Sequence, residues 1–373
     1  MARCDAASRK NGSTQGRWSL GDTVQSVSDT SAGLAERPSI VCSVTSAEGT
    51  IAVNWPESRH IAQLADQAGL DAMIPVARWR GFGGETNFND RCFETFTWAA
   101  GIAAVTERIQ VFSTMQVPTV HPVRAAKEAA TIDHISGGRF GLNLVAGWVE
   151  AELRMFGLPQ LPHDERYAVS DEWATIIKRA WTEDTFDFDG RYFKLPSVHS
   201  EPKPMQTPGP LIMSAGQSPA GSAFAARHAD LQFIFLPDIS KTREIVAAQK
   251  ARALEQYGRK LKVMSLAYVV CRDTEAEARE YYDYYVHQKG DWQAVRNLAA
   301  GAVGNMQSAD ATDPAMLEAL LAGYGAVPMV GTADQIAERM RYLADAGLDG
   351  MTLSWVNYAE GISQYQRELL PRL

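Results

Sequence analysis

From residue 38 onward, short apolar runs alternate with longer stretches whose apolar positions recur at helical spacing. The strand-like runs are 39–44 (SIVCSV), 71–76 (DAMIPV), 109–114 (IQVFST), 140–145 (FGLNLV), 211–214, 231–235, 263–270 and 351–355. Between them the spacing predicts a helix from near Pro56 to before Gly69, and others over 92–105, 122–135, 166–181, 219–228, 239–257, 274–288 and 333–346. Strands that alternate with helices in this way imply parallel βα units, either a closed (β/α)8 TIM barrel or an open doubly wound sheet. An open sheet usually carries G-x-G-x-x-G after its first strand. Here Gly81-Phe82-Gly83-Gly84-Glu85-Thr86 lacks the third glycine and follows the second run. The α/β barrel is therefore the expected fold.

Three connections are long, 146–165, 183–210 and 289–330, and are expected to be insertions at the C-terminal face, where barrels carry function. Residues 186–195 (FDFDGRYFKL) read as a small hairpin turning at Asp189-Gly190. Residues 1–37 are dominated by Ser, Thr, Gly and charge. They are expected to be a disordered tail ahead of one domain over 38–373.

Composition narrows the function classes. The chain has 373 residues, 46% hydrophobic and 21% charged, which is ordinary globular usage. A net charge of −8 without a Lys/Arg stripe argues against a nucleic-acid or anionic-membrane surface. No apolar run reaches membrane-spanning length. Cys4, Cys42, Cys92 and Cys271 lie far apart, so neither a disulfide framework nor a zinc site is expected and a reducing cytoplasm fits.

Barrel chemistry sits at strand ends. The third strand ends Ser113-Thr114-Met115-Gln116, and the fourth runs Asn143-Leu144-Val145-Ala146-Gly147-Trp148. An Asn inside an apolar strand costs burial energy unless its amide is paired. It is either a satisfied core residue or a group aimed at a ligand. Ser218 before Pro219 is a helix cap, and a helix start at the mouth of a barrel also suits a phosphate. A nucleophile elbow would need glycine where Ala220 stands. His163-Asp164-Glu165-Arg166-Tyr167 is a polar helix start with no second ligand cluster, so no metal is expected. Within it, Arg166 is the residue suited to a phosphate.

Several segments together carry a resemblance. Arg80-Gly81-Phe82-Gly83-Gly84, Ala104-Val105-Thr106-Glu107-Arg108-Ile109, the stretch 130–141 (ATIDHISGGRFG) and 143–148 (NLVAGW) resemble the bacterial-luciferase-like flavin monooxygenases. Within that family the sequence is most similar to the pyrimidine oxygenases and the dimethylsulfone monooxygenases. The likeness runs from about residue 54 to the C-terminus, while 39–54 departs from the usual pattern.

The resemblance implies a barrel that takes reduced FMN from a separate NAD(P)H-dependent flavin reductase, with O2 as co-substrate. Val76 and Ala77 would lie against the flavin ring. Thr114 and Asn143 would line its oxygen-reacting side, with Val145 completing an apolar oxygen pocket. Glu152 matches a position near the ribityl chain or ring edge, and Arg166, Tyr167 and Ser218 match phosphate-binding positions. Trp79 and Trp148 are candidate substrate contacts, and His121 before Pro122 is either a further candidate at a strand end or a helix-entry residue, not a catalytic one. The substrate would be a small molecule, first a nitrogen heterocycle and then a sulfone or sulfonate. A deazaflavin (F420)-dependent oxidoreductase is the rival within the same superfamily. A homo-oligomer is expected.

Overall fold

The computed structural model describes residues 43–50, 53–303 and 313–373. The expectations for the tail over 1–37, and for 39–42 of the first strand, lie outside the described residues.

The chain enters α1 (Trp55–Gln67), where the Asn54 side chain accepts from the Glu57 N–H and Pro56 opens the first turn. There follow β1 (Ala72–Met73), α2 (Thr95–Val105), β2 (Gln110–Gln116), α3 (Pro122–Ser136) and β3 (Phe140–Val145). After β3 come the short α4 (Glu150–Met155) and the long α5 (His163–Thr182), then the hairpin β4 (Phe186–Asp189) and β5 (Lys194–Val198). The order continues β6 (Leu211–Ser214), α6 (Pro219–His228), β7 (Leu231–Ile234), α7 (Thr242–Tyr257) and β8 (Lys262–Cys271). It ends with α8 (Glu275–Asp283), α9 (Trp292–Val303), α10 (Pro314–Gly323), β9 (Val327–Gly331), α11 (Ala333–Asp345), β10 (Gly350–Ser354) and α12 (Tyr358–Gln364).

Strands β1-β2-β3-β6-β7-β8-β10 pair in parallel in that order, with helices between them, which is the winding of a (β/α)8 barrel. Side chains alternate along each strand. One set, including Val111, Leu142, Ile212, Val263 and Met351, packs outward against the helices. The other set fills the barrel, where Ala72, Ile74, Phe112, Met213 and Met264 form a separate apolar floor. Above that floor the inward positions of β2 and β3 turn polar.

One expectation needs correction. Segment 183–210 joins a helix end to a strand start, so it leaves from the N-terminal face, not the C-terminal one. Its hairpin lies along α5, where the Glu172 carboxylate accepts from the backbone N–H of Arg191, Tyr192 and Phe193. Segment 289–330 is an insertion as expected, and it holds α9, α10 and the strand β9, which pairs with the end of β8 from Ala267 to Cys271. Pro328 and Gly331 hid that strand, because both residues weaken a strand signature. With α8 it forms a lobe over the C-terminal face, with its own apolar cluster.

Candidate active site

β2 and β3 run in register, Thr114 opposite Asn143 and Gln116 opposite Val145. Phe112 faces the barrel floor, so by alternation Thr114 and Gln116 also face inward. Asn143 Nδ2 donates to Thr114 Oγ1 at 3.0 Å, which leaves the threonine proton free to donate elsewhere. Asn143 Oδ1 is buried without a partner. The strand asparagine is thus only half satisfied, and this favours the ligand-facing reading over a closed core pair. Val145 ends β3 half-buried beside this pair.

A second group lies where α5 and α6 begin. Arg166, 6% exposed, donates through Nη1 to the Gly147 carbonyl at 2.8 Å, and its Nε has no partner. Burial pushes this guanidinium below its ordinary pKa, so an anion would find it under-solvated. Tyr167 is raised by burial, offset partly by its hydrogen bond with Ser218. Ser218 caps α6 by accepting from the Gly221 N–H at 3.1 Å. Gly216 and Gly221 meet backbone to backbone: a Cβ on Gly221 would lie 2.8 Å from the Gly216 Cα and from the Tyr167 hydroxyl. No other residue fits there. The phenol of Tyr167 thus meets the start of α6 at Ser218, while the buried Arg166 guanidinium, one residue before it on α5, holds the Gly147 carbonyl after β3.

Between these groups sits Glu152 on α4, fully buried. One carboxylate oxygen accepts from the Trp79 N–H at 2.8 Å and the Arg80 N–H at 3.3 Å. The other takes Arg78 Nη1 at 3.1 Å and the Gln116 amide. The side chain expected beside a cofactor is thus fully engaged with the protein and fixes the chain just after Val76 and Ala77, both half-buried. Gln116 and Arg78 were missed from the sequence, although Gln116 stands two residues beyond Thr114 on the same strand face.

The two tryptophans separate. Trp148 stacks on Phe82 at 6.2 Å with Arg78 4.7 Å over its ring. Trp79 is 44% exposed and packs edge-on against Phe156 at 5.0 Å. His121 caps α3, its Nδ1 accepting from the Val123 N–H, as expected of a helix start. The loop after β1 is bolted to the lobe: Asp291 Oδ2 accepts from the Thr86 N–H at 2.7 Å and its hydroxyl at 2.9 Å. A side chain on Gly84 would strike that carboxylate, which gives the second glycine of the pair its physical reason. Among the described residues, no group of three His, Cys, Asp or Glu could hold a metal ion, and no helix is long and apolar enough to cross a membrane.

The sequence profile described as Luciferase-like monooxygenase matches residues 39–350. The chain belongs to that family. A pyrimidine monooxygenase, RutA, of Cronobacter sakazakii is 33% identical over 331 residues, covering 84% of this chain and 94% of its own. Among solved structures, DmoA from Hyphomicrobium sulfonivorans superposes with a TM-score of 0.79 at 19% identity over 96% of this chain and 88% of its own. A riboflavin lyase, RcaE, solved with modified FMN and riboflavin, gives 0.74 at 24% identity over 84% of this chain and 83% of its own. These two show the barrel fold. As a luciferase-like monooxygenase the chain is an enzyme, and its polar groups at the mouth of the barrel are the place to seek its chemistry.

Proposed function

We propose that this enzyme is the oxygenase component of a two-component FMN monooxygenase that oxygenates a pyrimidine-like nitrogen heterocycle. The observation that carries the proposal is the half-satisfied Thr114–Asn143 pair at the barrel mouth, together with the start of α6, where Ser218 meets Tyr167. The identity to a named pyrimidine monooxygenase supports the substrate class. Arg166, Tyr167 and Ser218 would hold the FMN phosphate, and Val76 and Ala77 would border its ring. Reduced FMN, when bound, supplies two electrons to O2.

The protein's own part is binding, orientation and exclusion of water. Thr114 offers a hydroxyl proton and Asn143 an amide carbonyl, both neutral at any working pH. Thr114 could donate to oxygen held beside the flavin, and Asn143 turns that hydroxyl by donating to it; neither group gives up a proton readily. Val145 keeps the adjoining space apolar. The overall balance is one O2, one reduced FMN and one substrate giving oxygenated product, oxidised FMN and water. A separate flavin reductase would supply the reduced FMN, by diffusion or in a complex, and a cytoplasmic setting would suit both.

The test uses uracil, ¹⁸O2 and photoreduced FMN with no reductase present. One labelled oxygen in the product is the expected result. Label entering only from H2¹⁸O overturns the monooxygenase assignment, and no conversion of uracil overturns the substrate class.

A further inference from the structure

Among the described residues, the polar atoms buried without partners include Asn143 Oδ1, Arg166 Nε, Gln116 Oε1 and Arg78 Nε. The first two belong to the oxygen pocket and the phosphate site proposed above. The other two have no role in either, and they are linked. Gln116 Nε2 and Arg78 Nη1 both donate to the same oxygen of Glu152.

That shared oxygen decides how the two side chains are turned. A carboxylate only accepts, so the Gln116 amide must present its NH2 to Glu152 and keep its carbonyl oxygen free. The Arg78 guanidinium must turn one arm to Glu152, which leaves Nε–H as an unused donor. Glu152 is fully buried and holds the Trp79 and Arg80 N–H groups with its other oxygen, so it cannot swing away. The outcome is a fixed acceptor and a fixed donor on two side chains anchored to one carboxylate oxygen. Both are kept out of water, and burying either unpaired is costly. Gln116 lies one inward step nearer the mouth than Thr114, and the Arg78 plane lies against Trp148.

We propose that Gln116 Oε1 and Arg78 Nε–H read the lactam edge of the substrate, the carbonyl accepting its ring N–H and the guanidinium donating to the neighbouring ring C=O. This rests on the heterocycle reading above and deepens it, since it makes –NH–C(=O)– the recognised unit. A sulfone, which has no N–H, would leave Gln116 unpaired, and the site would discriminate against it. The isoalloxazine ring also carries an imide N–H, so the experiment must separate substrate from cofactor.

Isothermal titration of the protein loaded with oxidised FMN compares uracil, N1-methyluracil, N3-methyluracil and 4-thiouracil. One of the two N-methyl rings should bind at least about tenfold more weakly than uracil, because a site built for an N–H rejects the ring that lacks it. In Gln116→Met, uracil should weaken by about tenfold and the methyl discrimination should vanish, with FMN affinity unchanged. Arg78→Lys keeps a cation for Glu152 but has no Nε–H, so it should lose the preference for uracil over the thiocarbonyl ring. In turnover, KM should carry the loss in both variants and kcat should change little. Equal binding of uracil and both N-methyl rings by the wild type overturns the proposal even if neither variant folds. A Gln116→Met protein that loses FMN while keeping methyl discrimination overturns it too, by turning the oxygen toward the cofactor. If uracil is converted with ¹⁸O incorporation while binding is blind to methylation, only this inference falls. If no lactam binds, the heterocycle reading falls with it.

Discussion

Two walls close the mouth of the barrel, and they treat their polar atoms in opposite ways. The wall built from β2, β3 and the loops after β1 and β3 leaves Asn143 Oδ1, Gln116 Oε1, Arg78 Nε and Arg166 Nε buried and unmatched. The wall formed by β8, α8 and α10 is rich in tyrosine, and its buried hydroxyls are matched. Tyr282 donates to Glu318 at 2.9 Å and shares a hydrogen bond with Tyr268, and Tyr285 donates to the Ala322 carbonyl at 3.1 Å. Burial pushes Tyr268 up to about 12 and raises Tyr282 and Tyr285 well above the ordinary phenol value, so these phenols stay protonated throughout the working range. One wall is a finished piece of core that serves as a cover. The other, on the proposed reading, is completed by ligands, since buried polar groups are nearly always paired.

The largest expected effect tests the unfinished wall through its keystone. Glu152→Gln sets an amide NH2 against Arg78 and the Gln116 amide, and strands a buried guanidinium. Arg78 and Glu152 are 8% and 0% exposed as side chains, so about 3–5 kcal/mol of unfolding free energy should be lost in denaturant titration. A loss below about 1 kcal/mol would mean that the clamp is not rigid, and Gln116 would then not be held in one orientation.

Next in size is Arg166→Ala, which should weaken FMN by about 1.5–3 kcal/mol while leaving riboflavin nearly untouched. That is about tenfold to a hundredfold in affinity, measured by fluorescence quenching of each flavin. Equal weakening of both flavins would move Arg166 away from the phosphate and leave its Nε without a reason.

The smallest effect belongs to the finished wall. Tyr282→Phe removes one neutral-to-carboxylate hydrogen bond and should cost about 0.5–1.5 kcal/mol of stability, with product formed per reduced flavin unchanged. Because its phenol is raised rather than lowered, no pH dependence of turnover below pH 10 should trace to Tyr282. A large drop in product yield would erase the difference between the walls and bring the tyrosines into the chemistry.

Much of this architecture was legible in the chain. Helix α6 spans Pro219–His228 as expected, since Ser218-Pro219 announces its start locally. The inward asparagine of β3 stood out because polarity inside an apolar run is itself a signal, and the same reasoning would have marked Gln116. Arg166 and Ser218 each stood out at a helix start, whereas Tyr167 entered only with the family resemblance; the structure joins Tyr167 to Ser218 by a hydrogen bond. The helices α9 and α10 and the strand β9 were read as connection, because a lobe that packs mainly on itself breaks the βα rhythm that guided the reading.

Sequence alone determined what depends on neighbours along the chain: strand alternation, helix caps and the βα rhythm. These follow from periodicities of two and 3.6 residues and from local hydrogen bonding. Tertiary structure decided what depends on convergence. Glu152 reaches Arg78, 74 residues away, and Gln116, 36 residues away, and Asp291 reaches Thr86 across 205. No local pattern encodes which carboxylate will meet which amide. Only the closing of the barrel brings those strand ends within hydrogen-bond distance of Glu152 and leaves Gln116 Oε1 and Arg78 Nε buried without a partner in the protein.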